Sequence, residues 1–132
     1  MLTLRIDGVP EAWARPRPGR NGGYYSPHRQ GAWYQTIVWA ARCNRPDTPL
    51  DGPLALDLEI IFPRPKVLKK NQVLKWTKPD LDNASKSIWD ALTEAGWWVD
   101  DARVSTATAR KRYAAVGEAP GVVIGLREIK DS

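Results

Sequence analysis

Cysteine is almost absent from this chain. Cys43 stands alone, so no internal disulfide is available and a cysteine-based zinc site is excluded. No apolar run approaches the ~20 residues needed to cross a bilayer. The start, "MLTLRIDGVP", lacks the charged head and long apolar stretch of a secretory signal, which predicts a cytoplasmic protein. Acidic residues are missing from three long stretches: residues 12–46, 60–79 and 102–117 hold no Asp or Glu, yet carry 16 of the 20 Lys and Arg. Charge this segregated, with a net +5, suits a polyphosphate partner, because neutralising phosphates releases counterions without demanding a sequence. What is present is ordinary for a globular protein: 132 residues, 42% hydrophobic and 27% charged, the size of one domain spanning 1–132.

No repeat or low-complexity tract interrupts the chain. Leu2, Leu4 and Ile6 share one face of a strand expected over Leu2 to Val9. Prolines and glycines then mark a basic loop, about 10–27, without regular structure. Ser26 before Pro27 reads as a helix start, with the helix running to Cys43 and burying Trp33, Ile37 and Ala40 or Ala41. "LALDLEIIF" alternates as a half-buried strand, with Leu54, Leu56, Leu58, Ile60 and Phe62 inward and Asp57 and Glu59 on a solvated face. A second basic loop, about 63–79, is long enough to suggest function. A helix follows from about Asp82 to Ala95, with Leu81, Ser85, Ile88, Leu92 and Ala95 inward and Gly96 just past its end. Strands near Arg103–Tyr113 and Val122–Ile129 are expected to pair as a hairpin around "AAVGEAPG". The prediction is a single α+β domain of order β-α-β-α-β-β, with a mixed sheet and two main helices.

The densest acidic cluster frames that second helix: "KPDLDNASKSIWDALTEAGWWVDD", residues 78–101. A cap or helix-dipole role explains one of Asp80 and Asp82, but not a D-x-D pair followed by Asn83. Asp100 and Asp101 arrive after a helix about 20 Å long. They reach the D-x-D only if Trp97–Val99 turn the chain back, which the reach of about five residues permits. Converging carboxylates repel unless a cation neutralises them, and Asp oxygens suit Mg²⁺ or Mn²⁺. Lys86, four residues after Asp82, forms either a plain helix ion pair or a support for a phosphate in a transition state.

At "KPDLDNASKSIWDAL", then "GWWVDDARV", with "FPRPK" upstream, the chain resembles the RusA family of Holliday-junction resolvases. The likeness is densest from Phe62 to Val104 and looser over the N-terminal strand, loop and helix. It implies a small Mg²⁺-dependent homodimeric endonuclease of DNA recombination and repair, cutting four-way junctions by paired symmetric nicks. On this resemblance Asp80, Asp82 and Asp101 hold the metal and Lys86 assists, with Asn83 standing behind them and Asp100 either behind them or turned away to solvent. Ala84 replaces the bulky aliphatic of many relatives, and "LKWTKPD" lacks the histidine that many carry before the motif.

Arg15, Arg17 and Arg20 in the first loop, and Lys66, Lys69, Lys70, Lys75 and Lys78 in the second, are the candidate DNA contacts, with Tyr24 and Tyr25 able to stack on bases. His28, the single histidine, reads as a surface residue. Of seven tryptophans, Trp33 and Trp89 read as core or dimer contacts, and Trp76 and Trp97 or Trp98 as wedges into DNA. Two rival readings are a nuclease for other branched or flap DNA and a non-catalytic architectural DNA-binding dimer. A D-x-D phosphatase fits less well, since no apolar strand leads directly into the pair. No membrane partner is expected, and such a nuclease would associate with the nucleoid.

Overall fold

The strand Leu54–Phe62 organises the molecule. In the computed structural model, which describes residues 2–130, this strand is buried at seven of its nine positions. Its inward set is the alternating Leu54, Leu56, Leu58, Ile60 and Phe62, but Ala55 and Ile61 on the opposite face are buried as well. Such burial on both faces marks a central strand. Numbered along the chain, the strands are β1 (Leu2–Asp7), β2 (Arg17–Pro18), β3 (Tyr24–Tyr25), β4 (Leu54–Phe62), β5 (Val104–Tyr113) and β6 (Gly121–Glu128); the helices are α1 (Ala32–Cys43) and α2 (Leu81–Ala95). The main sheet has the order β1-β6-β4-β5, with β4 and β5 parallel and the other pairs antiparallel.

That order corrects the expected terminal hairpin. β5 and β6 do not pair; β4 lies between them. The reason is α2, which connects β4 to β5 as the crossover that a parallel pair requires. β5 thus lands on the far side of β4, and β6 returns to the near side. The return is tied down by charge: Arg112 on β5 pairs with Glu59 on β4 and forks onto Glu118 in the connection, at 2.6 and 2.8 Å. Where β6 starts, Gly121 passes so close to β1 that an added Cβ would stand 2.1 Å from the Ile6 carbonyl oxygen.

Both helices lie on one face of the sheet. Trp33, Ile37 and Ala41 of α1, and Ile88 and Leu92 of α2, join the inward residues of β4 with Val122, Ile124 and Leu126 of β6 in one core. Each large aliphatic buried there contributes about 1.5–3 kcal/mol. Two helix readings need correction. Ser26 starts only a 3-10 turn, Pro27–Gln30; its hydroxyl caps nothing, and α1 begins after an extended Gly31. On α2 the small buried side chains are Ala84, Ser87, Ala91 and the expected Ala95, while Ser85 is only half-buried. The helix ends as its sequence predicts, with Gly96 at φ +83° donating to the Leu92 and Thr93 carbonyls. The first basic loop is also less irregular than expected, because β2 and β3 form a two-stranded ribbon. No helix among the described residues is long and apolar enough to cross a membrane.

Candidate active site

The acidic residues of α2 fall on one line. Asp82, Lys86 and Asp90 recur every four residues, so they share a helix face. That face, with Ser85 and Trp89, forms one wall of a groove about 12 Å long from Asp82 to Asp90. The other wall is Ala107–Ala109 of the edge strand β5, and Leu58 also lines it. Small alanines on β5 leave this space open, where bulkier side chains would close the helix onto the strand. Asp101 lines the same groove. The fold therefore brings acids of α2 and of the turn after it into one cleft, with Lys86 among them, and leaves Asp80 outside it.

The return of the chain after α2 is built on two tryptophans. Trp97 and Trp98 are buried, which removes them as wedges into DNA; their indole N–H groups donate to the Ala41 carbonyl and the Thr93 hydroxyl at 2.8 and 2.9 Å. Backbone hydrogen bonds from Leu50 to Trp97 and from Val99 to Leu50 hold this segment beside the core. A 3-10 turn, Asp101–Arg103, then leads into β5, and the Asp100 carboxylate caps it by accepting from the Ala102 N–H at 2.8 Å. That N–H, and a hydrogen bond shared with Asp101, lower the Asp100 pKa. Asp101 moves the other way: burial, the bond to Asp100 and the negative charges of Asp100 and Asp90 all raise it.

Asp80 lies one residue before α2, extended at φ −60° and ψ 147°. Its carboxylate makes no capping bond, so the simple cap role is not the one it plays. It lines a separate shallow depression with Lys78, Pro79 and Asn83. Among the described residues no three His, Cys, Asp or Glu side chains are grouped closely enough to hold a metal ion. Asp82 and Asp101, two of the three acids that line the open groove, fit Mg²⁺ nonetheless, since that ion is commonly held by one or two carboxylates and otherwise by water and substrate phosphate.

Of the basic candidates, Lys78 shares the Asp80 depression, while Lys66 and Lys70 line another beside Ala114–Glu118. Arg15, Arg17, Arg20, Lys66, Lys69, Lys70 and Lys78 are exposed, as are Tyr24 and Tyr25 in the ribbon and Trp76 in the second loop. Lys75 is engaged instead: its ammonium donates to the Thr77 hydroxyl at 2.8 Å and lies about 5 Å from the Phe62 and Tyr113 rings. Lys111 of β5 anchors the second loop by donating to the Thr77 and Pro79 carbonyls at 2.5 and 2.6 Å.

Two residues of this site were not read from sequence. Asp90 had a usable signal, its four-residue spacing from Lys86. His28 had none, because its partner is 62 positions away. It is 6% exposed rather than on the surface, and its Nε2 lies 2.9 Å from Asp90 Oδ2.

Similarity to known proteins agrees with this geometry. Residues 7–127 match the family described as Endodeoxyribonuclease RusA. The "Uncharacterized protein YqaN" of Bacillus subtilis (strain 168) is 31% identical over 141 residues, covering 97% of this chain and 96% of that protein. The "Crossover junction endodeoxyribonuclease RusA" of Aquifex aeolicus (strain VF5) is 26% identical across 90% of this chain and 83% of its own length. Its namesake in Escherichia coli (strain K12) is 64% identical over 89 residues, covering 67% of this chain and 72% of that protein. A match over nearly the whole chain, on a fold that gathers Asp82, Lys86 and Asp101 in one groove, establishes that the protein belongs to the RusA endodeoxyribonuclease family.

Proposed function

We propose that this chain hydrolyses phosphodiester bonds in branched DNA, resolving four-way junctions by paired symmetric nicks as a Mg²⁺-dependent homodimer in recombination and repair. The observation that carries the reading is the groove between α2 and β5, where Asp82, Lys86 and Asp101 line one cleft in a chain with two exposed basic loops, the second of which ends at Pro79 just before α2.

Asp82 and Asp101 would hold the metal, with Mn²⁺ substituting for Mg²⁺, and Asp80 would have to turn its carboxylate out of its separate depression to join them. The bound ion supplies charge stabilisation at the phosphoryl oxygens and a more acidic water. The chain does the rest. Lys86 offsets the negative charge that grows on the phosphate as water attacks. Asp100 fixes the turn that presents Asp101, and the Asn83 carbonyl accepts the Trp13 N–H, tying the start of α2 to the first loop. Arg15, Arg17, Arg20, Lys66, Lys69, Lys70 and Lys78 draw the backbone in without reading bases. A two-fold dimer follows from the task, since two like sites address two strands of a junction symmetrically. Such a protein would work at the nucleoid.

The test compares cleavage of synthetic four-way, three-way and flap DNA with Mg²⁺ and with chelator. Preferential, metal-dependent cutting of the four-way junction supports the proposal. Equal cutting of flaps assigns the protein to a broader branched-DNA nuclease, and binding without cutting assigns it to the architectural reading.

A further inference from the structure

The segment 11–28, which carries the basic ribbon, does not merely pass the groove; its two ends are fastened along one side of α2. The Trp13 N–H donates to the Asn83 carbonyl at 2.9 Å, and the Ser87 hydroxyl donates to the Glu11 carbonyl at 2.9 Å. Between and beyond these points come two side-chain contacts. The Lys86 ammonium lies over the Trp13 ring, 5.0 Å from its centre. His28 reaches Asp90. Positions 83, 86–87 and 90 follow the helical repeat, so one stripe of α2 takes all four.

The tautomer of His28 is set by its surroundings. The Ala14 N–H points at Nδ1 from 3.3 Å, so Nδ1 accepts; Nε2 therefore carries the proton and donates to Asp90. The ring is packed between Trp13 and Tyr34, with centroids 6.0 and 5.5 Å away. Asp90 and Lys86 both line the groove, and each is gripped from behind by a residue of this segment.

We infer that Trp13 and His28 are positioning residues: Trp13 aims the Lys86 ammonium, and His28 orients the Asp90 carboxylate, so the segment 11–28 is a second supporting wall of the groove. The inference deepens the cleavage reading and rests on it. It also gives the ribbon carrying Arg17 and Arg20 a rigid root beside the groove, so that DNA held by the ribbon is registered against Lys86.

Two pairs of variants test it, each with kcat and KM measured separately on a four-way junction. Trp13→Leu removes the aromatic face, and kcat should fall by about 3–30-fold with KM little changed, while Trp13→Phe restores most of the rate. His28→Ala should lower kcat by about 10–100-fold, and His28→Gln, which keeps an N–H donor toward Asp90, should recover much of it. Should His28→Ala fail to fold, the Trp13 pair decides. Unchanged kcat in Trp13→Leu and in a folded His28→Ala, or a loss confined to KM, overturns the inference.

A second readout is independent of cleavage. Because His28 is the only histidine, its imidazole ¹⁵N signals are unambiguous. They should report one Nε2–H tautomer that responds to Asp90→Asn and to added Mg²⁺. Averaged tautomers, or signals indifferent to both, overturn the positioning role. If the wild-type chain cuts nothing, the cleavage reading fails, and this spectrum alone decides whether the wall exists.

Discussion

Replacing Glu118 by Gln tests how the sheet acquires its strand order. Glu118 sits in the connection between β5 and β6 and accepts both guanidinium N–H groups of Arg112, the Ala115 N–H at 2.9 Å and a longer hydrogen bond from Arg5 at 3.5 Å. The Arg112 fork and the Ala115 N–H push its pKa down from 4.5 to about 2. Taken at face value, a depression of that size is about 3 kcal/mol of folding stability. Its side chain is 23% exposed, so solvent screening brings the figure nearer 1–2 kcal/mol. A depressed folded pKa means that this stability is present above the unfolded value of 4.5 and lost as pH falls toward 2. Glu118→Gln should therefore lower the unfolding free energy at pH 7 by about 1–2 kcal/mol, on the order of 4–8 °C in Tm. Urea unfolding at pH 7, 4.5 and 2.5 gives the comparison, and the gap between variant and wild type should shrink across the last two. A variant as stable as wild type at pH 7, or a gap unchanged down to pH 2.5, would refute the role given to this carboxylate.

Gly121→Ala should destabilise by about 2 kcal/mol or more in urea unfolding, because its Cβ would collide with the Ile6 carbonyl, a backbone atom that cannot rotate away. Changing Arg15, Arg17 and Arg20 together to Gln should flatten the salt dependence of junction binding by about 0.9 in log–log slope for each phosphate no longer neutralised. Lys75→Met should leave that slope unchanged, since this ammonium is occupied within the protein. Lys111→Met frees the Thr77 and Pro79 carbonyls from their anchor, and amide exchange across residues 73–80 should quicken relative to wild type.

Local periodicity carried much of this fold. The alternation of Leu54 to Phe62 gave a strand, and the apolar stripe with Gly96 beyond it gave α2 and its end. What periodicity does not contain is which strands are neighbours. Seven residues between β5 and β6 are as consistent with a hairpin as with a step across β4. The decisive clues lay in composition: Ala55 and Ile61 are apolar where a half-buried strand would be polar, and "STAT" in β5 suits an exposed edge. A helix between two strands is itself a hint of a parallel crossover. The site divides in the same way. Asp82, Lys86 and Asp101 were legible because the chemistry of the motif is local, while Asp90 shows only in its spacing. The burial of His28 depends on a partner across the fold, and the burial of Trp97 and Trp98 on α1 and α2 closing over them. Single-residue types say nothing of either.

The most direct measurement is Asp82→Asn, assayed for junction binding and for cleavage with Mg²⁺. If the groove carboxylates serve a metal at the scissile phosphate, cutting should fall by at least about 100-fold while binding is kept, because Asn keeps the size and loses the charge. Retained cleavage would contradict the account, and so would loss of folding or of binding, which would make Asp82 a structural residue.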